Sequence, residues 1–362
     1  MVYKTRMLGD VCDIVGGGTP SRDTPTYFTG DVPWATPTDI TALHGEKFIS
    51  DTKEHITQKA INDSTTKLVP AGSVLMTSRA TIGYTAINKR PMCTNQGFAN
   101  FIPSEDVDNL YLAYYLEFIR DILIQRASGT TFKEISKSEL RKMPIPLPSI
   151  EEQKKIGMNL KKITDCIARN RKAQSLSAAY PSSLFNTVFY KETKRRLVRD
   201  CIIKPHSNIV KIPKNKFLQS GKYPIIDQGK DLIGGYTNEI KLLYSGDLPV
   251  ILFGDHTLCL KYVDFPFALG ADGVKLLIPS KELDPKYFYY ALKNVNIESR
   301  GYSRHYKYLL QEQIKIPPIS LQKEFSKKAH PFEDIRKMQT ATSEKLNLLF
   351  ASLSNKYFNT VN

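Results

Sequence analysis

Two stretches of the chain carry the same hydrophobic pattern. In residues 151–190, Ile156, Leu160, Ile163 and Ile167 step by 4, 3 and 4 through otherwise polar, charged sequence. In residues 321–358, Phe332, Ile335, Thr342, Leu346, Leu349 and Leu353 fall on a similar stripe. Apolar residues at this spacing line one narrow side of an α-helix and suit a helix–helix seam. Each stretch follows prolines, where a helix can begin but cannot extend backwards. A helix of about 38 residues, rising about 1.5 Å per residue, spans about 57 Å. Alone it would be marginal, because its apolar surface is only a stripe. The two stripes are therefore expected to pair as a coiled coil, antiparallel because globular sequence lies between them. Asn170 and Gln174 interrupt the first seam and Gln339 the second. Buried polar residues at such places fix register at some cost in stability. Pro181 is expected to break or kink the first helix, leaving 182–189 as a separate short one.

The remaining sequence alternates short strand-like runs with turns rich in Gly and Pro. SVLMTSRA (73–80), GFANFIP (97–103), PVILFG (249–254) and GVKLLIP (273–279) are the clearest strands. Two of them open a repeat. Gly97 aligns with Gly273, Ile102-Pro103 with Ile278-Pro279 and Tyr111 with Tyr287, all 176 positions apart. Each block reads as a strand ended by proline, a turn, then an aromatic helix. A second pair of blocks lies 169 positions apart: Pro148 aligns with Pro317, Gln153 with Gln322 and Ile156 with Phe325. SLFNTVF (183–189) and SLSNKYF (352–358) keep that offset. The chain therefore reads as a duplication of mixed α/β fold class. Globular segments 1–146 and 193–316 alternate with helical segments 147–192 and 317–362.

Composition narrows the function. With 362 residues the chain is long enough for about two domains. No run of 18 apolar residues predicts a membrane span, and the first residues lack the apolar core of a signal peptide. The five cysteines (Cys12, Cys93, Cys166, Cys201, Cys259) are far apart, without a CxxC. That argues against a disulfide framework or a structural zinc site and for a reducing cytoplasm. The six histidines show no metal-ligand spacing, so no metal site is expected. Lys and Arg number 51 against 36 Asp and Glu, a net charge of +15, which points to a polyanionic partner.

No catalytic signature accompanies that charge. GxxxxGK[ST], HExxH and GxSxG are absent, as is the Asn/Asp-Pro-Pro-Tyr/Phe tetrapeptide with which amino-methyltransferases hold a flipped base. Glu152 and Lys154 are spaced like a nuclease ExK pair, but they open a helix and no partner Asp sits on a nearby strand. The run Gly16-Gly17-Gly18 reads either as a tight loop or as a place where backbone approaches phosphate. Polar and basic loops carry more. Thr19, Ser21 and Arg22 follow the glycines. Ser78, Arg79 and Thr81 end a strand, Asn95 and Gln96 precede Gly97, and Thr130 and Lys133 lie in SGTTFK. In the second half, Asp255 and His256 end a strand, and Arg300, Tyr302, Arg304, His305 and Lys307 lie in SRGYSRHYK. Arg and Lys pair with phosphates or read guanine in the major groove; Asn and Gln read adenine. These seventeen residues are the candidate DNA contacts.

The sequence resembles the specificity subunit of type I restriction–modification enzymes. LGDVCDIVGGGTPSR, YFTGDVPWATPTDI, AGSVLMTSRATIG, CTNQGF and SGTTFKEISKSELRKMPIPLPSIEEQKKI carry the likeness in the first half. YPIIDQG, IGGYTN, LPVILFGDHT, GADGV and IPPISLQKEF carry it in the second. The resemblance implies two target-recognition domains, each reading one half of a split target in double-stranded DNA. It implies helices that hold them apart and dock two methyltransferase subunits, with motor–nuclease subunits completing the restriction complex. Methylation would fall on adenine N6. This chain would bind no cofactor; S-adenosylmethionine would sit in the methyltransferase subunits, and ATP and Mg in the motor–nuclease. The second half lacks the GGGTP opening, so the two half-sites are expected to differ. Two competing readings remain at this point. One is a DNA-modifying enzyme with an unrecognised centre. The other is a methylation-only or anti-defence subunit that binds methyltransferases without directing cleavage.

Overall fold

In a computed structural model, which describes residues 3–129, 133–204, 209–271, 273–298, 301 and 303–359, the two aromatic segments form helices Asn109–Phe118 and Pro285–Lys293. Each starts in the same way. The Asp108 carboxylate accepts the Leu110 and Tyr111 amides, and Asp284 accepts that of Tyr287, which satisfies N–H groups a helix start leaves bare. The repeated glutamine completes each start. Gln153 Oε1 accepts the Asp108 amide (3.0 Å), while its Nε2 donates to Asp106 O and Pro148 O. Gln322 does the same with Asp284, Glu282 and Pro317. The repeated tyrosine hydroxyl then donates to the strand behind: Tyr111 to Pro146 O (2.6 Å), Tyr287 to Lys315 O (2.7 Å). The sequence repeat is thus a repeat of hydrogen bonds.

The chain divides into two compact units, Met1–Ala173 with Gln339–Asn362, and Gln174–Met338. In unit 1 a five-stranded sheet runs in the order Cys12–Gly16, Phe98–Pro103, Val74–Thr77, Thr85–Asn88, Phe48–Ile49. A three-stranded sheet (Glu54–Ile56, Val32–Ala35, Cys93–Thr94) and the antiparallel pair Lys4–Met7 with Pro144–Leu147 complete it. In unit 2, two four-stranded sheets and the antiparallel pair Arg195–Leu197 with Gln313–Lys315 play these parts.

Both long helices form, Ile150–Val188 and Ile319–Phe358. Within each unit one end of one helix lies antiparallel to the opposite end of the other. In unit 1, Asn170 Nδ2 donates to Gln339 O and Ser343 Oγ, both at 2.8 Å, so the polar interruption is a cross-helix bond. In unit 2, Tyr180 stacks on Phe332 (4.1 Å) and Phe185 meets Phe325 edge-on. Ile156, Leu160 and Ile163 are buried as the first stripe requires, and Ile167 is half-buried. The second stripe needs correction. Phe332, Leu346 and Leu353 are half-buried, but Ile335, Thr342 and Leu349 are exposed. The inward side runs instead through Leu346, Phe350, Leu353, Tyr357 and the buried Phe358. Pro181 also departs from expectation: the helix continues through it, as the second helix does through Pro331. An internal proline costs about 3 kcal/mol. The Tyr180–Phe332 stack beside both prolines and the buried Phe185 one turn on hold the helices in place.

Three thiols are sealed into these cores. Burial pushes Cys12 and Cys93 up to about 12 and Cys201 up to about 11, whereas Cys166 is exposed. At pH 8, iodoacetamide is expected to alkylate Cys166 at least about tenfold faster than these three, as followed by peptide mass spectrometry. Equal rates would mean that the cores open freely.

Candidate nucleic-acid interface

The candidate loops of unit 1 gather at one end of the five-stranded sheet. The strand Val74–Thr77 ends there beside Phe98–Pro103, with Thr77 opposite Phe98, and Cys12–Gly16 ends with Gly16 opposite Ala99. The Ser78 amide donates to Gly97 O (2.8 Å), and the Ile135 amide donates to Ser78 O (3.0 Å). The Ala80 amide donates to Lys133 O, and Arg79 Nε lies 3.9 Å from Glu134 Oε2. The Thr19 hydroxyl donates to Gln96 Oε1. Thr19, Gln96, Arg79 and Lys133 therefore share one rim.

The glycine run resolves toward packing. A Cβ on Gly17 would meet Asn95 O at 2.0 Å, and one on Gly18 would meet Thr66 N at 2.4 Å. Gly18 O accepts the Trp34 indole N–H (3.0 Å), so Gly17 and Gly18 are glycines because the run threads closely between neighbouring segments. Gly16 is different. A Cβ there would meet Lys137 Nζ at 2.9 Å, so its bareness leaves space for a cation beside the rim. Lys137 is exposed, and the sequence reading passed over it.

Several candidates are framework. Arg22 forms a two-pronged ion pair with Glu54 (2.5 and 2.9 Å) and lies over Phe28 and Trp34. That hydrogen bond raises the Arg22 pKa above its ordinary value, while the side chain stays exposed beside Glu54. Ser78 is buried, and Ser21 Oγ accepts the Asp23 amide. Asn95 Oδ1 accepts the Gly97 amide, shaping the turn (2.9 Å). The Thr81 hydroxyl is buried and meets no partner among the described residues. Thr130 lies outside the described residues.

Unit 2 repeats the construction. Val74 pairs with Phe101, and Ile251 with Leu277, the residue 176 positions on. The Asp255 amide donates to Gly273 O (2.6 Å), and the His305 amide donates to Asp255 O (2.9 Å). Asp255 and His305 are corrected as contacts, because both are buried. His305 Nδ1 sits 2.9 Å from Asp255 O, and Asp255 Oδ1 accepts the Tyr306 amide (2.7 Å). Together they knot the two loops as Ser78 and Ile135 do in unit 1. His256, half-buried, and the exposed Arg304 and Lys307 remain at the rim. Arg300 and Tyr302 lie outside the described residues. Gln228, quoted in YPIIDQG but not chosen, braces the site: its Oε1 takes the His256 amide and its backbone O the Thr257 hydroxyl. Behind it the buried Lys261 ammonium donates to Asp227 O (2.7 Å). Burial lowers the Lys261 pKa, and Asp227 opposes that shift.

Two units built on one plan thus each present polar and basic loops at a sheet end. Residues 2–176 match the family described as type I restriction modification DNA specificity domain. The type I restriction enzyme MjaIX specificity subunit of Methanocaldococcus jannaschii is 29% identical, over 92% of this chain and 87% of its own. The EcoR124I/EcoR124II specificity subunit of Escherichia coli is 31% identical over 42% of this chain and 38% of its own. Among solved structures, the S subunit of a type I restriction–modification system from M. genitalium superposes with a TM-score of 0.69 at 15% identity. That match covers 98% of this chain and 96% of the other. A second, from work on complex assembly and conformational transition of the type I R-M system, gives 0.51 at 16% identity over 98% and 97%. Residues 2–176 thus match a type I restriction–modification DNA specificity domain, and the chain as a whole is similar to type I specificity subunits in sequence and in fold. No helix among the described residues is long and apolar enough to cross a membrane.

Proposed function

We propose that this subunit reads a two-part target in double-stranded DNA, one half-site by the sheet-end loops of each unit. The observation that carries the reading is the loop frame built twice: Ser78–Gly97–Ile135 in unit 1 and Asp255–Gly273–His305 in unit 2. A duplicated frame with different side chains suits two half-sites of different sequence, and the net charge of +15 suits DNA. In this reading the long helices set the unread gap between half-sites. They also dock two methyltransferase subunits, which supply S-adenosylmethionine and transfer its methyl group to adenine N6. Motor–nuclease subunits using ATP and Mg complete a restricting complex, and the assembly works in the cytoplasm. This chain contributes binding, orientation and sequence choice.

The test is a map of N6-methyladenine across the host genome, by single-molecule sequencing, with and without this gene. Deletion is expected to erase methylation at one two-part motif with a fixed gap. Unchanged methylation would overturn the proposal.

A further inference from the structure

Hydrogen-bond register aligns the sheet-end loops of the two units residue by residue. Ser78 takes the place of Asp255, since each donates its amide to the matching glycine carbonyl. Ile135 takes the place of His305, since each donates its amide to that first residue. One position further along the first loop stand Arg79 in unit 1 and His256 in unit 2. One position back along the second stand Glu134 and Arg304. The four anchor residues are buried and belong to the frame. Arg79, Glu134 and Arg304 are exposed, and His256 is half-buried. In unit 1 the two places face each other: the backbones of Arg79 and Glu134 form a bridge, and Nε and Oε2 are 3.9 Å apart.

The chemistry at these matched places is different. Unit 1 holds a guanidinium steadied by a carboxylate. Unit 2 holds an imidazole on a loop braced by Gln228, with the guanidinium moved to the other position. An arginine fork pairs two-pronged with guanine O6 and N7, while a carboxylate accepts from the cytosine amino group. Exchanging these groups across one frame changes which base edge is satisfied. It leaves the approach of the backbone unchanged.

We infer that 79 with 134, and 256 with 304, are the specificity-determining pairs of the two units, reading the same base position of their respective half-sites. The inference rests on the proposal that each unit reads one half-site; it keeps Arg79, His256 and Arg304 of the seventeen candidate contacts and adds Glu134, which was not one of them.

The test uses the full chain, expressed from its own locus in its host. The double variant Arg79→His with Glu134→Arg gives unit 1 the pair found in unit 2. Single-molecule methylome sequencing is expected to show one changed column in the first half-site. That column adopts the base found at the matching column of the second half-site, and the second half-site and gap stay as they were. Methylation of the original motif is expected to fall ~10–100-fold, the equivalent of ~1–3 kcal/mol per two-pronged contact. An unchanged motif, or changes confined to other columns, overturns the pairing. If the double variant abolishes all methylation, Glu134→Gln alone decides, since it keeps size and removes only the charge. Relaxed choice at one column of the first half-site supports the pairing, and an unaltered motif overturns it. A wild-type chain that directs no two-part motif would instead refute the underlying proposal.

Discussion

Phe358→Ala is expected to destabilise unit 1 by ~3–5 kcal/mol, the cost of removing a fully buried aromatic side chain and leaving its cavity. Phe358 lies near the end of the second long helix and is 2% exposed. Its ring meets Tyr111, Tyr115 and Phe118, all on the aromatic helix of the first half, with centroids 5.3, 5.5 and 5.3 Å away. A residue from the end of the chain is therefore part of the core of its beginning. Phe189, its repeat partner, does the same in unit 2 against Tyr287 (5.0 Å), Phe185 (5.0 Å) and Phe325 (5.6 Å). Phe189→Ala should cost a similar amount there. Leu348→Ala is the control: that side chain is 71% exposed and should move stability by less than ~0.5 kcal/mol. Denaturant titration gives the magnitudes, and hydrogen exchange at Asn109–Phe118 and Pro285–Lys293 locates them. A Phe358→Ala chain as stable as Leu348→Ala would refute this account of the core.

The repeat was legible because its residues make the same bonds in both copies. Gln153 and Gln322 stand out in sequence through spacing alone, and each turns out to hold the cap of an aromatic helix. The strands were legible because they are short apolar runs bounded by Gly and Pro. The second helix seam was misread for a physical reason. A stripe of period 3.5 can be drawn through several faces of a helix that carries scattered apolar residues. Leu348, Leu349 and Phe350 are consecutive, and sequence alone does not say which of them turns inward. Tertiary contact with Tyr114, whose ring centroid is 6.0 Å from that of Phe350, selects Phe350. Pro181 misled in the opposite sense, because helix propensity is local and the aromatic packing that overrides it is not.

The site was half legible for a related reason. Residue type distinguishes side chains able to touch DNA, and it picked Arg79, Gln96, Lys133 and Arg304, which are exposed at the loops. It does not distinguish a polar side chain that faces out from one that holds a loop together. Asp255 and His305 look like contacts by type and are buried clamps by geometry. The pairing of positions 79 with 256 and 134 with 304 was invisible, because the loops differ in sequence where they agree in backbone. Their neighbours share no residues to align, and only the amide-to-carbonyl bonds reveal the match.

A charge placed in the helix seam separates the inward from the outward side. Ile163 is 9% exposed on the first long helix, and Leu349 is 47% exposed on the second. Ile163→Glu is expected to cost ~3–5 kcal/mol at neutral pH, because it removes a buried aliphatic group and strands a carboxylate away from water. Leu349→Glu should stay within ~0.5 kcal/mol of wild type. The pH dependence gives a second signature. Burial raises the folded-state pKa of a glutamate above its unfolded value of about 4.3. Between those two values the unfolded chain has released a proton that the folded chain keeps. Stability of Ile163→Glu relative to wild type therefore falls as pH rises through that window, and the penalty is least near pH 4. Leu349→Glu, exposed in both states, should show no such slope. Denaturant titrations of both variants at about pH 4 and pH 8 decide the matter. Equal penalties, or a pH slope in Leu349→Glu, would place the seam on the stripe drawn from sequence and overturn the packing described for the second helix.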